Sequence, residues 1–214
     1  MLQLYTYAQS SASYRVRIVL ALKGIDWQSV AISLLAGDHQ NASFLKINPQ
    51  GRVPALVGEH GTLSQSFAIM DWLEETYPDT TSIYPKDAWQ RALCRAFAHT
   101  IATDIFPLQN LSTRRKLQAE FGADDARQAQ WSADWITKGF AALETELVTR
   151  GWTGKDGYLF GDDPTLADIC LVPQMNNARR YKVNLGAFPL LVAADAKARV
   201  HPAFVSTSPE TQIG

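Results

Sequence analysis

Two hydrophobic rhythms divide the chain. In the first eighty residues, short stretches with strand-like alternation are interleaved with stretches of helical period. Leu2–Tyr7 reads as a strand and Ser13–Lys23 as a mostly buried helix stopped by Gly24. Trp27–Ser33 is a second strand, rich in residues that suit a pleated surface. A polar loop and a short helical stretch near Ser43–Ile47 lead to Asn48-Pro49-Gln50-Gly51, a strong turn signal. Pro54–Val57 and Gly61–Leu63 pattern as a hairpin around Gly58–His60. Ser66–Tyr77 is then an amphipathic helix, with Ile69, Leu73 and Tyr77 four residues apart and Met70 beside them. Strand-helix-strand followed by strand-strand-helix predicts a small mixed sheet with helices on it.

Tyr77-Pro78-Asp79 ends that helix, and the pattern changes. Thr80–Lys86 reads as a linker with Pro85 as its stiff point, and the chain beyond it is helical in period. Trp89, Leu93, Phe97, Ile101 and Ile105 recur at i+4 as far as Pro107, and Ile136, Phe140, Leu143 and Leu147 mark another helix. A third opens after Gly161-Asp162-Asp163-Pro164, where Thr165 and Asp168 have the spacing of a reciprocal cap. Pro173 lies inside it, so a kink is expected there. The tail from Ser206 reads as frayed. The expected architecture is an α/β N-terminal domain over 1–80, a linker over 81–87 and an all-α C-terminal domain over 88–214, with no internal repeat.

Composition narrows the function classes. The 214 residues are 46% hydrophobic and 19% charged, ordinary for a globular protein able to bury a sizeable core. The net charge of −1 lacks the basic excess of a general nucleic-acid or acidic-membrane binder. Met1-Leu2-Gln3-Leu4 has no basic n-region or long apolar stretch, and no run approaches the ~20 apolar residues of a membrane helix. Cys94 and Cys170 read as reduced core residues of an intracellular, cytoplasmic protein. His39, His60, His99 and His201 are scattered without metal-ligand spacing, so no metal site is expected.

Four local features in the first domain bear on chemistry. Ser10-Ser11-Ala12-Ser13 stands at a strand-to-helix junction, where free N–H groups and the helix dipole favour an anion and a serine hydroxyl can donate to a thiolate. A simple N-cap would explain the serines equally well. In Arg52-Val53-Pro54-Ala55-Leu56, a cis Pro54 would turn the Val53 backbone outward, to pair with an extended peptide as an added strand does. An ordinary edge-strand proline is the alternative. Gln65-Ser66 opens the next helix, and Ser66 can cap it or help hold a carboxylate. His39 lies in the loop before the turn, where a lone histidine is commonly a satisfied surface residue.

In order and spacing these residues resemble the thioredoxin-fold half of glutathione transferases, and further motifs resemble the zeta class, which includes the maleylacetoacetate and maleylpyruvate isomerases. The motifs are Ser10-Ser11-Ala12-Ser13-Tyr14-Arg15-Val16-Arg17-Ile18, Asn48 to Pro54, Gln65-Ser66-Phe67-Ala68-Ile69, Pro107-Leu108-Gln109-Asn110-Leu111, Leu166-Ala167-Asp168, Leu171-Val172-Pro173-Gln174 and Asn177 to Val183. The resemblance spans about Leu4 to Phe204. It implies a thioredoxin-like glutathione-binding domain, an all-helical substrate-binding domain and a homodimer. It places Ser10 and Ser11 by the sulfur as catalytic residues, with Ser13 among the contacts. Val53 pairs with the cysteinyl backbone, Gln65 and Ser66 hold the γ-glutamyl end, and His39 lies near the glycyl carboxylate. Gln109 and Asn110 approach from the helical domain, and Arg180 suits a substrate carboxylate, which a guanidinium fork can grip with two hydrogen bonds.

Two positions depart from the family pattern. Ala12 stands where the signature cysteine is expected, and Gln9 where an arginine often precedes the first serine. Ser10 is the expected donor to the sulfur, with Ser11 nearer the capping position. The implied activity is glutathione-dependent cis-trans isomerisation of a small unsaturated dicarboxylic keto acid, maleylacetoacetate or maleylpyruvate. Conjugation or dehalogenation of small electrophiles, or a non-catalytic binding protein on the same fold, are the alternatives.

Overall fold

The computed structural model describes residues 1–153 and 157–212. The chain divides into two units, Met1–Ile83 together with the segment from Val200 onward, and Tyr84–Arg199. In the first unit the order is β1 (Leu2–Thr6), α1 (Ser11–Leu22), β2 (Trp27–Ala31), a 3-10 turn (Asp38–Gln40), α2 (Ala42–Ile47), β3 (Ala55–Gly58), β4 (Gly61–Ser64) and α3 (Ser66–Thr76). The sheet order is β2-β1-β3-β4. β1 and β2 run parallel, β3 is antiparallel to β1, and β4 to β3.

Register decides what this sheet can do. Thr6 pairs with Ala31, Tyr5 with Ala55, and Ala55 with Ser64. The C-terminal ends of β1, β2 and β4 and the N-terminal end of β3 therefore share one edge. The β1–α1 turn, the loop after β2, the Val53-Pro54 segment and the start of α3 all leave the sheet there. The apolar side chains beneath are Leu4, Leu56, Val16, Val19, Ile69, Met70 and Leu73, all buried. The connector after α3 is tied back to the same unit. The buried Lys23 ammonium meets Glu74 at 2.7 Å and donates to Thr80 Oγ1 at 3.1 Å and the Thr81 carbonyl at 3.2 Å.

The second unit is helical: α4 (Ala88–His99), a π-helical segment (Thr100–Ile105), α5 (Phe106–Gln109), α6 (Leu111–Phe121), α7 (Asp125–Thr149), α8 (Leu166–Arg180) and α9 (Pro189–Ala198). The row from Trp89 to Ile105 does not make one α-helix. A four-residue step advances about 400° in an α-helix, so a strict i+4 row drifts around it. Trp89 accordingly stands 69% exposed, while Phe97, Ile101 and Ile105 are buried, the last two in the wider π turns. Ile105 packs against Gly139 of α7 so closely that a Cβ there would collide with it. Ile136, Phe140, Leu143 and Leu147 of α7 are all buried. The capping box forms at α8, where Thr165 N–H donates to Asp168 Oδ2 at 2.9 Å. Cys94 and Cys170 are both buried, and neither forms a disulfide among the described residues. No helix among the described residues is long and apolar enough to cross a membrane.

The tail expected to fray from Ser206 is anchored at its start, through Thr207, while Glu210 and Thr211 beyond it are exposed. α10 (Pro202–Ser206) packs on α1 in the first unit, and Thr207 is 2% exposed. Tyr14 Oη donates to the Phe204 carbonyl at 2.9 Å and Arg17 Nε to the Thr207 carbonyl at 3.1 Å. Polar residues at a chain end look solvated when read locally, and partners 190 residues away carry no local signal.

Candidate functional site

At the shared edge of the sheet, the chain turns from β1 into α1 through Tyr7–Ser10. Ser10 N–H donates to the Tyr7 carbonyl at 3.0 Å. Ser10 is itself the N-cap of α1: its Oγ accepts from Ser13 N–H at 3.2 Å. The cap is thus Ser10, not Ser11, one residue before the position the sequence indicated. Ser11 is the first helical residue and is buried, while Ser10 is half-buried. The Ser10 hydroxyl oxygen accepts the capping bond, which leaves its O–H free to donate outward. Ser13 contributes its backbone N–H to the cap, and its buried hydroxyl has no partner among the described residues. Ala12 is half-buried in the first turn and adds no polar atom.

Across the same edge, the Val53–Pro54 peptide is cis. Val53 is buried against Ile32 and Phe44, with Tyr5, Tyr7 and Leu34 around them. The Arg52 carbonyl before it is held by Asn48 Nδ2 at 2.7 Å, so the Asn48–Gly51 turn fixes the approach to Val53. Because Ala55 pairs with Ser64, the backbone before β3 lies opposite the backbone after β4, which is Gln65-Ser66. Gln65 has φ 72° and ψ 118°, a conformation that costs a non-glycine residue about 1–3 kcal/mol and clusters at functional sites. It precedes α3 without capping it by its side chain. That side chain instead donates from Nε2 to Gln50 Oε1 at 2.9 Å. The start of α3 therefore presents N–H groups and its positive dipole end without a side-chain cap, with Ser66 as first helical residue.

His39 sits half-buried in the 3-10 turn after β2. Its carbonyl lies where a Cβ on Gly51 would come within 3.0 Å, and Gly51 has φ 58°, so that close approach requires glycine. Ser10, Ser11, Ser13, His39, Val53, Gln65 and Ser66 thus belong to one unit and one edge. The sequence alone does not point to Gln50, whose contact with Gln65 comes from the turn folding back; its only local sign is the turn motif.

Gln109, Asn110 and Arg180 belong to the second unit. The Gln109 amide is 3% exposed and donates to Gln174 Oε1 at 2.6 Å, so this side chain is turned into its own unit. Asn110 is half-buried and caps α6, its Oδ1 accepting from Thr113 N–H at 2.9 Å. Arg180 ends α8 and is exposed. Its neighbour Arg179 is paired with the fully buried Asp195, whose carboxyl is pushed up by burial and pulled back by that pairing. Both arginines are exposed, and Arg179 is held at the surface by its pairing with Asp195. The Arg114 guanidinium lies 5.7 Å from the centre of the Tyr181 ring, which brings a further cation beside the end of α8. A separate groove of about 480 Å³ lies at the opposite end of the sheet, against Leu2, Leu63 and Trp72, and contains none of the candidate residues.

Residues 9–76 match the family model of the glutathione S-transferase N-terminal domain and residues 124–199 that of the C-terminal domain. The chain is 42% identical over 214 residues to the maleylacetoacetate isomerase of Pseudomonas aeruginosa, covering 99% of this chain and 97% of that protein. It superposes with a TM-score of 0.94 on a holo maleylpyruvate isomerase structure, a bacterial zeta-class glutathione transferase, at 41% identity and 98% of both chains. The maleylacetoacetate isomerase of Methylobacterium extorquens AM1, solved with malonate and glutathione bound, gives a TM-score of 0.93 at 33% identity, covering 99% of this chain and 98% of that one. With these similarities running the length of both units, the chain belongs to the zeta-class glutathione transferases, the family of the maleylacetoacetate and maleylpyruvate isomerases.

Proposed function

We propose that this protein is a glutathione-dependent cis-trans isomerase of a small unsaturated dicarboxylic keto acid, maleylacetoacetate or maleylpyruvate. The observation that carries the reading is the pairing, on one sheet edge, of a serine-capped helix start at Ser10 with a side-chain-uncapped helix start at Ser66. Glutathione has a thiol to ionise, a peptide backbone to pair and carboxylates to hold, and this edge offers groups for each. The α3 start and Ser66 hold the γ-glutamyl carboxylate, Val53 pairs with the cysteinyl backbone, and His39 lies toward the glycyl end. Ser10 donates to the sulfur, with the α1 N–H groups behind it.

Glutathione supplies a thiolate that adds reversibly to the conjugated double bond, so that the bond can turn before it is restored. The protein's part is to keep that thiol ionised near neutral pH, where a free thiol is only a few per cent thiolate. The helical unit binds the acid, with Arg180 gripping a carboxylate and orienting the alkene. Gln109 acts indirectly here: its contact with Gln174 fixes the segment that carries Asn110. A homodimer accords with the two-fold preference of soluble oligomers, and a cytoplasmic location suits a glutathione-using enzyme with buried thiols.

The test is turnover of maleylacetoacetate, maleylpyruvate and a halo-acid, each with and without glutathione. Isomerisation of one maleyl acid that requires glutathione is expected. Halide release without isomerisation would replace the proposal with a dehalogenating transferase, and inertness toward all three would overturn it.

A further inference from the structure

Arg17 of α1 is fully buried, and among the described residues no carboxylate is paired with it. Its guanidinium is used on neutral oxygens. NH1 donates to Thr6 Oγ1 at 2.9 Å and to the Tyr7 carbonyl at 3.4 Å, NH2 to the Ala8 carbonyl at 3.0 Å, and Nε to the Thr207 carbonyl at 3.1 Å. The Tyr14 ring lies beside it, 5.4 Å away. Burial lowers the guanidinium to about 10, which still leaves it charged at neutral pH. An unpaired buried cation is costly, and a leucine or methionine would fill the same volume without that cost. Core packing alone therefore does not account for arginine here.

The identity of its acceptors does. Thr6, Tyr7 and Ala8 are three consecutive residues that end β1 and begin the turn running through Gln9 to Ser10. The Tyr7 carbonyl receives both Arg17 and the Ser10 N–H. A planar fork with fixed donor directions holds three successive residues in one conformation, which a single ammonium cannot do. The fourth bond ties this turn to the C-terminal segment, which the Tyr14 hydroxyl holds independently at Phe204.

We propose that Arg17 is a positioning residue for the isomerase reaction: its fork locks the Thr6–Ala8 turn against the C-terminal segment and so aims the Ser10 hydroxyl and the start of α1 at the glutathione sulfur. Hydrogen bonds weaken steeply when bent, so a slack turn keeps the serine but loses much of its hold on the thiolate. This rests on glutathione binding at the α1 start as proposed above.

The test uses the full chain and three variants. Arg17→Lys keeps the charge and loses the fork; Arg17→Met loses both; Tyr14→Phe removes the neighbouring tie to the C-terminal segment but leaves Arg17 and the ring in place. The readouts are the thiolate absorbance of bound glutathione against pH, the thermal midpoint, and kcat against KM. Arg17→Lys is expected to raise the thiol pKa by about one unit and lower kcat about tenfold at neutral pH, with recovery at alkaline pH and little change in substrate KM. Tyr14→Phe is expected to lower the midpoint and leave the thiol pKa where it was. A thiol pKa in Arg17→Lys equal to that of the parent protein, whatever happens to the midpoint, makes Arg17 merely structural and overturns the inference. Arg17→Met can fail to fold, so the outcome is read from Arg17→Lys. Failure of the underlying reading looks different: the parent protein itself would then show no glutathione thiolate signal.

Discussion

Removing the Ser10 hydroxyl should act on two quantities that can be separated. Ser10 caps α1 through a 3.2 Å bond from Ser13 N–H, at the long end of the usual range. Losing an N-cap to alanine costs about 1 kcal/mol, whereas glycine at the same position costs only a few tenths. The second quantity is the bond from the Ser10 O–H to the thiolate. A charge-assisted hydrogen bond of this kind is worth about 1.5–3 kcal/mol, or roughly one to two units in the pKa of the bound thiol. Ser10→Ala should therefore lower stability by about 1 kcal/mol and raise the thiol pKa by about one to two units. Ser10→Gly should produce nearly the same pKa change with little loss of stability. Ser11, buried at the first helical position, should leave the thiol pKa nearly unmoved when replaced by alanine.

The assay is a pH titration of thiolate absorbance in the glutathione-loaded protein, run beside urea unfolding of each variant. Glycine is the informative substitution because it separates the donor from the cap. Should Ser10→Gly leave the thiol pKa unchanged while Ser11→Ala raises it, the donor is Ser11 and the reasoning from cap geometry fails. If neither serine moves it, the backbone N–H groups and the dipole of α1 suffice.

Arg180→Ala should raise the KM for a dicarboxylate substrate by about tenfold, the low end for an ionic contact because the residue is exposed, and leave the glutathione thiol pKa unmoved; steady-state kinetics with and without a carboxylate on the substrate would check this. Burial raises the Asp168 carboxyl to about 6, against the pull of Thr165 and Leu159 donors, so its stabilising contribution is complete below pH ~4 and lost as pH rises through about 6. Urea unfolding should therefore show parent stability falling relative to Asp168→Asn by about 3 kcal/mol from pH ~4 to ~7, and a constant difference would show that the hydrogen bonds offset the burial. Gln174→Leu should cost about 1–3 kcal/mol, measurable in the same unfolding assay, because the buried Gln109 Nε2 donor then loses its acceptor. Light scattering should give about twice the 23.7 kDa chain mass at micromolar concentration, and the single-chain mass would refute the dimer.

The parts legible in the sequence are those with local causes. Alternation in Leu2–Thr6 and the Ile69, Leu73 row of α3 each follow from one face being buried, a pattern visible within a dozen residues. The Thr165–Asp168 cap is a four-residue signal and forms at α8. The start of α1 lies two residues earlier than the sequence pattern suggests, because a run of serines contains several acceptable caps and the choice among them is made by the Tyr7 carbonyl and the β1 exit. Gln109 is readable as part of a motif, while its inward turn depends on Gln174, 65 residues away.

The same distinction explains why Arg17 stands within a motif yet shows no role in the sequence. In a helix whose pattern reads as mostly buried, a basic residue stands out, and nothing nearby in sequence says what it meets. Its environment is assembled from the β1 exit, nine to eleven residues earlier, and from Thr207, 190 residues later. The three consecutive acceptors at Thr6–Ala8 are what separates a clamp from an adventitious buried charge. The C-terminal segment is thereby part of the glutathione half in a physical sense: its carbonyl at Thr207 completes the set of bonds that keeps Arg17 aligned with the turn leading to Ser10.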